Sequence, residues 1–189
     1  MTKLITKALK YAAIGIVVVP LSIITHELGH FLAYHFFGAG NVQLHSVSVS
    51  ADKDALSSFE LAIVNIIGPI ISYLTIGVAL FFTRKKYIPF WVILGLAAPI
   101  GRIVNGVYVY FRALGYSPNP NFDEYNFSRN IGFDPLVLAV VTTLIALATI
   151  VIFLRKAWVE GRFAEFAFVI FSVVCGLATW MTFGSMLLP

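Results

Sequence analysis

The sequence predicts an all-α polytopic membrane protein with about five transmembrane helices. Of its 189 residues, 59% are hydrophobic and only 12% are charged, and its mean hydropathy of +0.90 lies far above that of soluble domains. A hydrocarbon core about 30 Å thick needs roughly 20 apolar residues per helix. Apolar stretches of about that length predict spans at 8–37, 58–83, 88–112, 136–154 and 163–187.

Basic clusters between these spans predict the orientation of the chain. Arg84 to Lys86 follow the second span, and Arg155 to Arg162 follow the fourth. The positive-inside bias puts both clusters and the N-terminal lysines on the cytoplasmic side, with 39–57 and 113–135 on the outer side. No small-residue cleavage site follows the first apolar run, so we expect a retained span and not a signal peptide.

The chain length and composition narrow the classes of protein further. Five spans occupy most of the chain, so we expect one membrane-embedded domain over 1–189, with a core at 8–135 and two further helices at 136–187. Cys175 is the only cysteine, which excludes an internal disulfide and a cysteine-based zinc site. The net charge of +4 comes from span ends, so nucleic-acid binding is not expected.

A metal-ligand motif follows an apolar run that carries no charge between residues 11 and 25. The motif is His26-Glu27-Leu28-Gly29-His30. Positions i and i+4 share a helix face, so His26 and His30 can bind one Zn²⁺ while Glu27 projects beside an open fourth position. Ionisable groups at bilayer depth are costly unless they are paired or bound to a metal. The motif therefore predicts a hydrolytic zinc site inside the first span.

A catalytic zinc site needs a third protein ligand, which the motif does not supply. His35 is rotated by about 140° from His30 round a helix, so it should face away from the metal. Asp123 and Glu124 are stronger candidates, because the prolines and asparagines before them break the helix and could bend an acidic residue back to the site. From the residues alone, either Asp123 or its alternative Glu124 could be the third ligand.

The motif in span one, Gly68-Pro69 in span two and an acidic segment after span three together resemble the site-2 protease family of intramembrane zinc metalloproteases. The resemblance covers roughly the first 135 residues. It implies that His26, His30 and Asp123 bind zinc, that Glu27 activates water, and that the substrate is a transmembrane protein.

The chain resembles compact, divergent members of that family. No glycine follows Asp123, and Ser72 replaces the asparagine often found after Gly-Pro. Well-known members place the motif toward the cytoplasm, whereas the lysines here put the end of the first span outside. The side of the membrane that the site faces therefore stays open.

Three polar residues in the spans are candidates for binding substrate or supporting the site: Asn65, Arg102 and Asn105. Asn65 shares a helical stripe with Gly68 and Ser72, where helix packing and binding of a substrate strand are both open interpretations. An arginine within a span needs a carboxylate, a carbonyl or water as partner. Arg102 would either steady the site and its oxyanion or form a structural pair.

Residues 42–50 alternate between polar and apolar side chains, which predicts a strand or a hairpin at the membrane surface. The edge of such a strand could hold an extended substrate. His45 lies in this run and is expected at the interface and not on the metal.

The motif predicts a zinc hydrolase in a multi-pass protein of the cell membrane, surrounded by the lipid bilayer. The resemblance implies that it is a zinc metalloendopeptidase that cleaves in or near transmembrane segments. One alternative is a non-proteolytic scaffold or chaperone with a structural or degenerate metal site. Another is a zinc hydrolase that acts on a different amide or on a lipid. A structural site would be closed by four protein ligands, whereas a catalytic site keeps one position open.

Overall fold

The chain forms a helical bundle with a small hairpin at one end, as seen in a computed structural model that describes residues 2–116 and 122–188. The elements in chain order are α1 (Thr2–Phe36), β1 (Gly40–Leu44), β2 (Val49–Asp52), α2 (Ser58–Thr83), α3 (Pro89–Ala113), α4 (Asp123–Asn130), α5 (Pro135–Val159) and α6 (Phe163–Leu187). Within the described residues, five helices, all except α4, are long and apolar enough to cross a membrane. The predicted fold class is confirmed.

The helices extend beyond the spans predicted from hydropathy in two places. Helix α1 begins at Thr2 and not near residue 8, and α5 continues to Val159 and not to residue 154. Hydropathy marks the apolar part of a helix, whereas flanking lysines and arginines can extend it outside the hydrocarbon. The short helix α4 was not predicted, and the helix-breaking run at 119–121 lies outside the described residues.

Local sequence signals set where several helices begin. Ser57 caps α2 in a capping box, in which its hydroxyl accepts from the Glu60 N–H and the Glu60 carboxylate accepts from the Ser57 N–H. Asp134 caps α5 by accepting from the Leu136 N–H, and Pro135 occupies the first helical position. These caps place the start of α2 and of α5 beside the hairpin and α4 respectively.

Helix α6 packs tightly against α1 through small residues. A Cβ on Gly15 would collide with the backbone of Ser172, and a Cβ on Gly176 would lie 2.7 Å from the Val19 side chain. The Ser172 hydroxyl donates to the Tyr11 carbonyl at 2.5 Å. Small residues let backbones approach closely inside a membrane, where no water drives apolar helices together. The last span is thereby held beside the first.

The basic end of the bundle is tied together by ion pairs. Glu165 on α6 accepts from Tyr11 and pairs with Lys7, both on α1, and with Arg162. Arg162 also donates to the carbonyl of Tyr87, just before α3. These contacts bring together the charged segments predicted to share one side of the membrane, and the His26 motif lies toward the other end of α1.

The predicted surface hairpin is formed by β1 and β2, which pair antiparallel with Gln43 opposite Ser50 and Leu44 opposite Val49. Its turn is attached to α6, because the Trp180 indole donates to the Ser46 carbonyl at 2.8 Å and the Ser46 N–H donates to the Leu188 carbonyl. Tyr34, Leu56 and Val64 form an apolar cluster beneath it. The hairpin is therefore fixed over the end of the bundle that carries the motif.

Candidate metal centre

Three side chains from two distant parts of the chain meet at one point. His26 Nε2 lies 3.0 Å from Asp123 Oδ2, His30 Nε2 lies 3.4 Å from the same oxygen, and the two Nε2 atoms are 3.2 Å apart. Among the described residues, these are the histidine, cysteine and acidic side chains that converge as a metal-binding group. The motif on α1 and the first residue of α4 are thus brought together across 97 positions of sequence.

The three atoms have the spacing of ligands in a tetrahedral zinc site. Zinc binds nitrogen and carboxylate oxygen at about 2.0–2.1 Å, which places tetrahedral ligand atoms about 3.3 Å apart. The observed separations of 3.0, 3.2 and 3.4 Å bracket that value. Two imidazoles and one carboxylate also match the ligand set of catalytic zinc. The described residues therefore fit a zinc ion held by three protein ligands.

Each imidazole is oriented by a partner at its other nitrogen. His30 Nδ1 donates to the Val64 carbonyl at 2.7 Å, which leaves the Nε2 lone pair free to bind a metal. His26 Nδ1 lies 2.9 Å from the Ser72 hydroxyl. With His26 Nε2 on a metal, Nδ1 carries the proton and Ser72 accepts it. Helix α2 therefore supplies the hydrogen-bond partner of both rings.

Gly68 lets α2 approach the histidines closely. A Cβ at this position would collide with His30 Nε2 and would lie 2.8 Å from His26 Cε1. The small residues of α2, which the sequence left open between packing and substrate binding, pack here against the metal-binding group.

The two acidic residues at the start of α4 point to different partners. Asp123 faces the histidines, whereas both oxygens of Glu124 lie about 3 Å from Arg102 NH1, at 2.9 and 3.1 Å. Burial alone would raise the pKa of the Asp123 carboxyl, but hydrogen bonds with His26 and His30 outweigh it and hold the pKa well below its usual range. Asp123 is therefore ionised at neutral pH, as a ligand must be.

A polar cavity of about 300 Å³ opens onto the metal-binding group. Glu27 lines it and is 8% exposed, and its carboxylate forms no hydrogen bond with a described residue. Asn65 and Asn105 also line the cavity, and neither amide is hydrogen-bonded to a described residue. Its remaining lining includes residues of the hairpin and of α4: Val47, Ser48, Val49, Lys53, Phe122 and Asn126.

An apolar groove of about 550 Å³ reaches the same group from the side of the bundle. Its walls come from α3 and α6, and it ends at His26 and Glu27 on α1. Its apolar lining combines the small residues Ala97, Ala98 and Gly101 of α3 with larger side chains of α3 and α6: Ile100, Val104, Leu177 and Met181. Glu27 therefore lies where a polar cavity and an apolar groove meet.

Two histidines lie outside the metal-binding group, in agreement with the sequence prediction. The ring of His35 packs edge-on against Phe31, with centroids 4.5 Å apart. His45 Nε2 lies 2.9 Å from the Ser50 hydroxyl across the hairpin. Neither belongs to the group of converging ligand atoms.

Three features of the site were not predicted from the sequence. They are the contacts of Ser72 and of the Val64 carbonyl with the histidine rings, and the place of Phe122 in the lining of both cavities. Ser72 was noted as a departure from a family pattern and as a member of the polar stripe of α2, but not as a partner of His26, although its hydroxyl lies beside that ring. The Val64 carbonyl is a backbone group, so the residue type at this position does not indicate its contact with His30. Phe122 was also not singled out.

Comparison of the chain with protein-family models, with curated proteins and with solved structures found no match. The fold and the site define a multi-pass membrane protein with a His26, His30 and Asp123 group spaced for a metal ion.

Proposed function

We propose that this protein is an intramembrane zinc metalloprotease that cleaves peptide bonds in or near transmembrane segments of its substrates, in the cell membrane. The observation that carries the proposal is the joint placement of three zinc-type ligand atoms and a buried glutamate, which has no hydrogen bond to a described residue, where a polar cavity and an apolar groove meet. His26, His30 and Asp123 would hold the ion.

Zinc in this site would lower the pKa of a water molecule to about 7 and stabilise the negative charge that develops on the carbonyl oxygen. Glu27 takes the proton of the attacking water and returns it to the leaving amine. Its carboxylate is suited to this role because no hydrogen bond to a described residue holds it. Arg102 is paired with Glu124, so its charge is largely balanced in the resting protein.

The apolar groove between α3 and α6 supports a substrate that arrives from the bilayer. Its walls are apolar at the depth of the spans, and it leads to Glu27. A transmembrane helix keeps its carbonyls hydrogen-bonded, so it must unwind locally before a carbonyl can be attacked. Helix-breaking residues in the substrate should therefore favour cleavage.

The hairpin supports the same class of substrate. Val47, Ser48 and Val49 line the polar cavity, so a backbone in the cavity would lie beside β2. An unwound segment could add to this edge through main-chain hydrogen bonds. The amides of Asn65 and Asn105 offer further donors and acceptors to such a backbone.

The test is cleavage of membrane-spanning peptides that contain central helix-breaking residues, by the full chain in detergent with zinc supplied. We expect zinc-dependent products from the wild type. Glu27→Gln should keep zinc and lose about 10²–10⁴-fold in rate, the usual contribution of a general base. Glu160→Gln makes the same chemical change at the opposite end of the bundle and should leave the rate unchanged.

Retained cleavage in Glu27→Gln would remove the assigned role of Glu27. A zinc-loaded wild type that cleaves no peptide of the series, yet hydrolyses a lipid or a small amide, would replace the proposed substrate class. A zinc-loaded chain without any hydrolytic activity would favour a scaffold or a chaperone.

A further inference from the structure

A buried ion pair joins α3 to α4 beside the metal-binding group. Arg102 is 7% exposed and Glu124 is 6% exposed, and their closest atoms are 2.9 Å apart. Apart from this contact, Oε1 of Glu124 has no hydrogen-bond partner among the described residues. Burying two charges is expensive and seldom adds net stability, so a pair in this position calls for another explanation.

The pair fixes the turn of α4 that carries Asp123. Neighbouring residues of a helix point about 100° apart, so one turn can present Asp123 to the histidines and Glu124 to Arg102. The guanidinium of Arg102 lies near two members of the metal-binding group. It is 3.9 Å from Asp123 Oδ2 and 3.3 Å from His26 Nδ1. Any rotation of α4 that pulled Asp123 away would also separate Glu124 from Arg102.

Further along α4, apolar packing adds to this ion pair. Tyr125 packs in an apolar cluster with Val109 of α3 and Ala139 of α5. Such packing fixes the position of a helix but tolerates a small rotation, whereas a charged pair in a low dielectric does not. The pair of Arg102 and Glu124 therefore constrains the orientation of the first turn.

We propose that Arg102 and Glu124 are positioning residues, whose ion pair holds Asp123 in place as the third metal ligand. This inference rests on the metal site of the proposed function and not on its substrate. Glu124 would act only through Asp123, because both of its oxygens face Arg102. It is the partner of the third ligand and not the third ligand itself.

The test measures zinc affinity of the detergent-purified chain by competition with chelators. Glu124→Gln keeps the shape of the side chain but removes its charge, and should weaken zinc binding about 10- to 100-fold, as loss of a ligand's supporting partner does. In an Asp123→Ala background, measured with a weaker competitor, Glu124→Gln should cause no further loss. A double-mutant cycle isolates this coupling.

Two further variants allow the inference to be tested if Glu124→Gln folds poorly. Arg102→Lys keeps the charge but loses the planar fork, so its affinity should lie between those of the wild type and Glu124→Gln. Glu165→Gln breaks the ion pair with Arg162 at the far end of the bundle and should leave zinc affinity unchanged, whatever it does to stability.

Wild-type affinity in both Glu124→Gln and Arg102→Lys would overturn the inference and leave the proposed function intact. Additive losses in the Asp123→Ala background would also overturn it, because Glu124 would then act independently of Asp123. A wild type that binds no zinc would remove the proposed function and this inference together. Absence of cleavage by a zinc-loaded chain would affect only the proposed function, since this readout is metal binding.

Discussion

Gly68 brings the backbone of α2 against the imidazoles of His26 and His30. The contact matters because α2 supplies the partner of each ring, the Val64 carbonyl for His30 and the Ser72 hydroxyl for His26. A ring that loses its partner loses both its orientation and its tautomer.

We predict that Gly68→Ala displaces the histidines and weakens zinc binding by at least about tenfold, because its Cβ would collide with the His30 ring. Zinc affinity in detergent measures the effect. Gly77→Ala is the matched control, since a Cβ there meets nothing within 4 Å on the same helix. Unchanged zinc binding in Gly68→Ala would show that α2 does not constrain the rings.

At this scale the sequence predicted the residues that carry chemistry better than those that orient them. His26 and His30 could be predicted because helical periodicity fixes which side chains share a face. The position of Asp123 depends on the path of the chain after α3, which no local pattern determines. The choice between Asp123 and Glu124 required the position of Arg102, a contact across 22 residues.

Helix α3 shapes the groove through its small residues. Gly101 lines the groove, and a Cβ built there meets nothing within 4 Å, so a larger side chain would enter the groove without disturbing the packing of α3. Arg102 follows directly and faces the metal-binding group. One helix thus contributes Gly101 to the groove and pairs Arg102 with Glu124 of α4.

We predict that Gly101→Leu keeps zinc and stability but reduces peptide cleavage on the order of 100-fold, because the side chain blocks the approach to Glu27 and small misplacements of substrate have effects of that size. Rates on membrane-spanning peptides measure it, with Gly77→Leu as the control that points away from the groove. Full activity in Gly101→Leu would exclude this groove as the route of the substrate.

Elements with a strong hydrophobic periodicity could be predicted from the sequence, whereas the short helix could not be predicted from a local pattern. The alternation at 42–50 predicted the hairpin, and the spans predicted the long helices. Helix α4 has only eight residues, and it is held by the Arg102–Glu124 ion pair and by packing on α2 and α5, which are tertiary contacts that a local pattern does not contain.

At the scale of the whole molecule, the close contact of α1 and α6 joins the two ends of the chain. The sequence predicted five spans but not which of them are neighbours, because apolar surfaces in a membrane carry little partner information. The close contact between α1 and α6 depends on the small residues Gly15, Ser172 and Gly176. Leu177, next to this contact, lines the groove.

We predict that Gly176→Ala destabilises the bundle by about 1–3 kcal/mol, the usual cost of overpacking, because its Cβ would collide with the Gly15 carbonyl. Thermal unfolding in detergent measures the change, with Gly77→Ala as the control. An unfolding temperature equal to that of the wild type would show that α6 can move away from α1 at no cost.

The most direct test of the central claim is zinc content per chain after purification with zinc supplied. The wild type should retain one zinc ion, and His26→Ala and Asp123→Ala should lose it. His35→Ala and His45→Ala should retain it, because both side chains lie outside the converging group. A folded wild type without zinc, or a full zinc content in both His26→Ala and Asp123→Ala, would contradict the account.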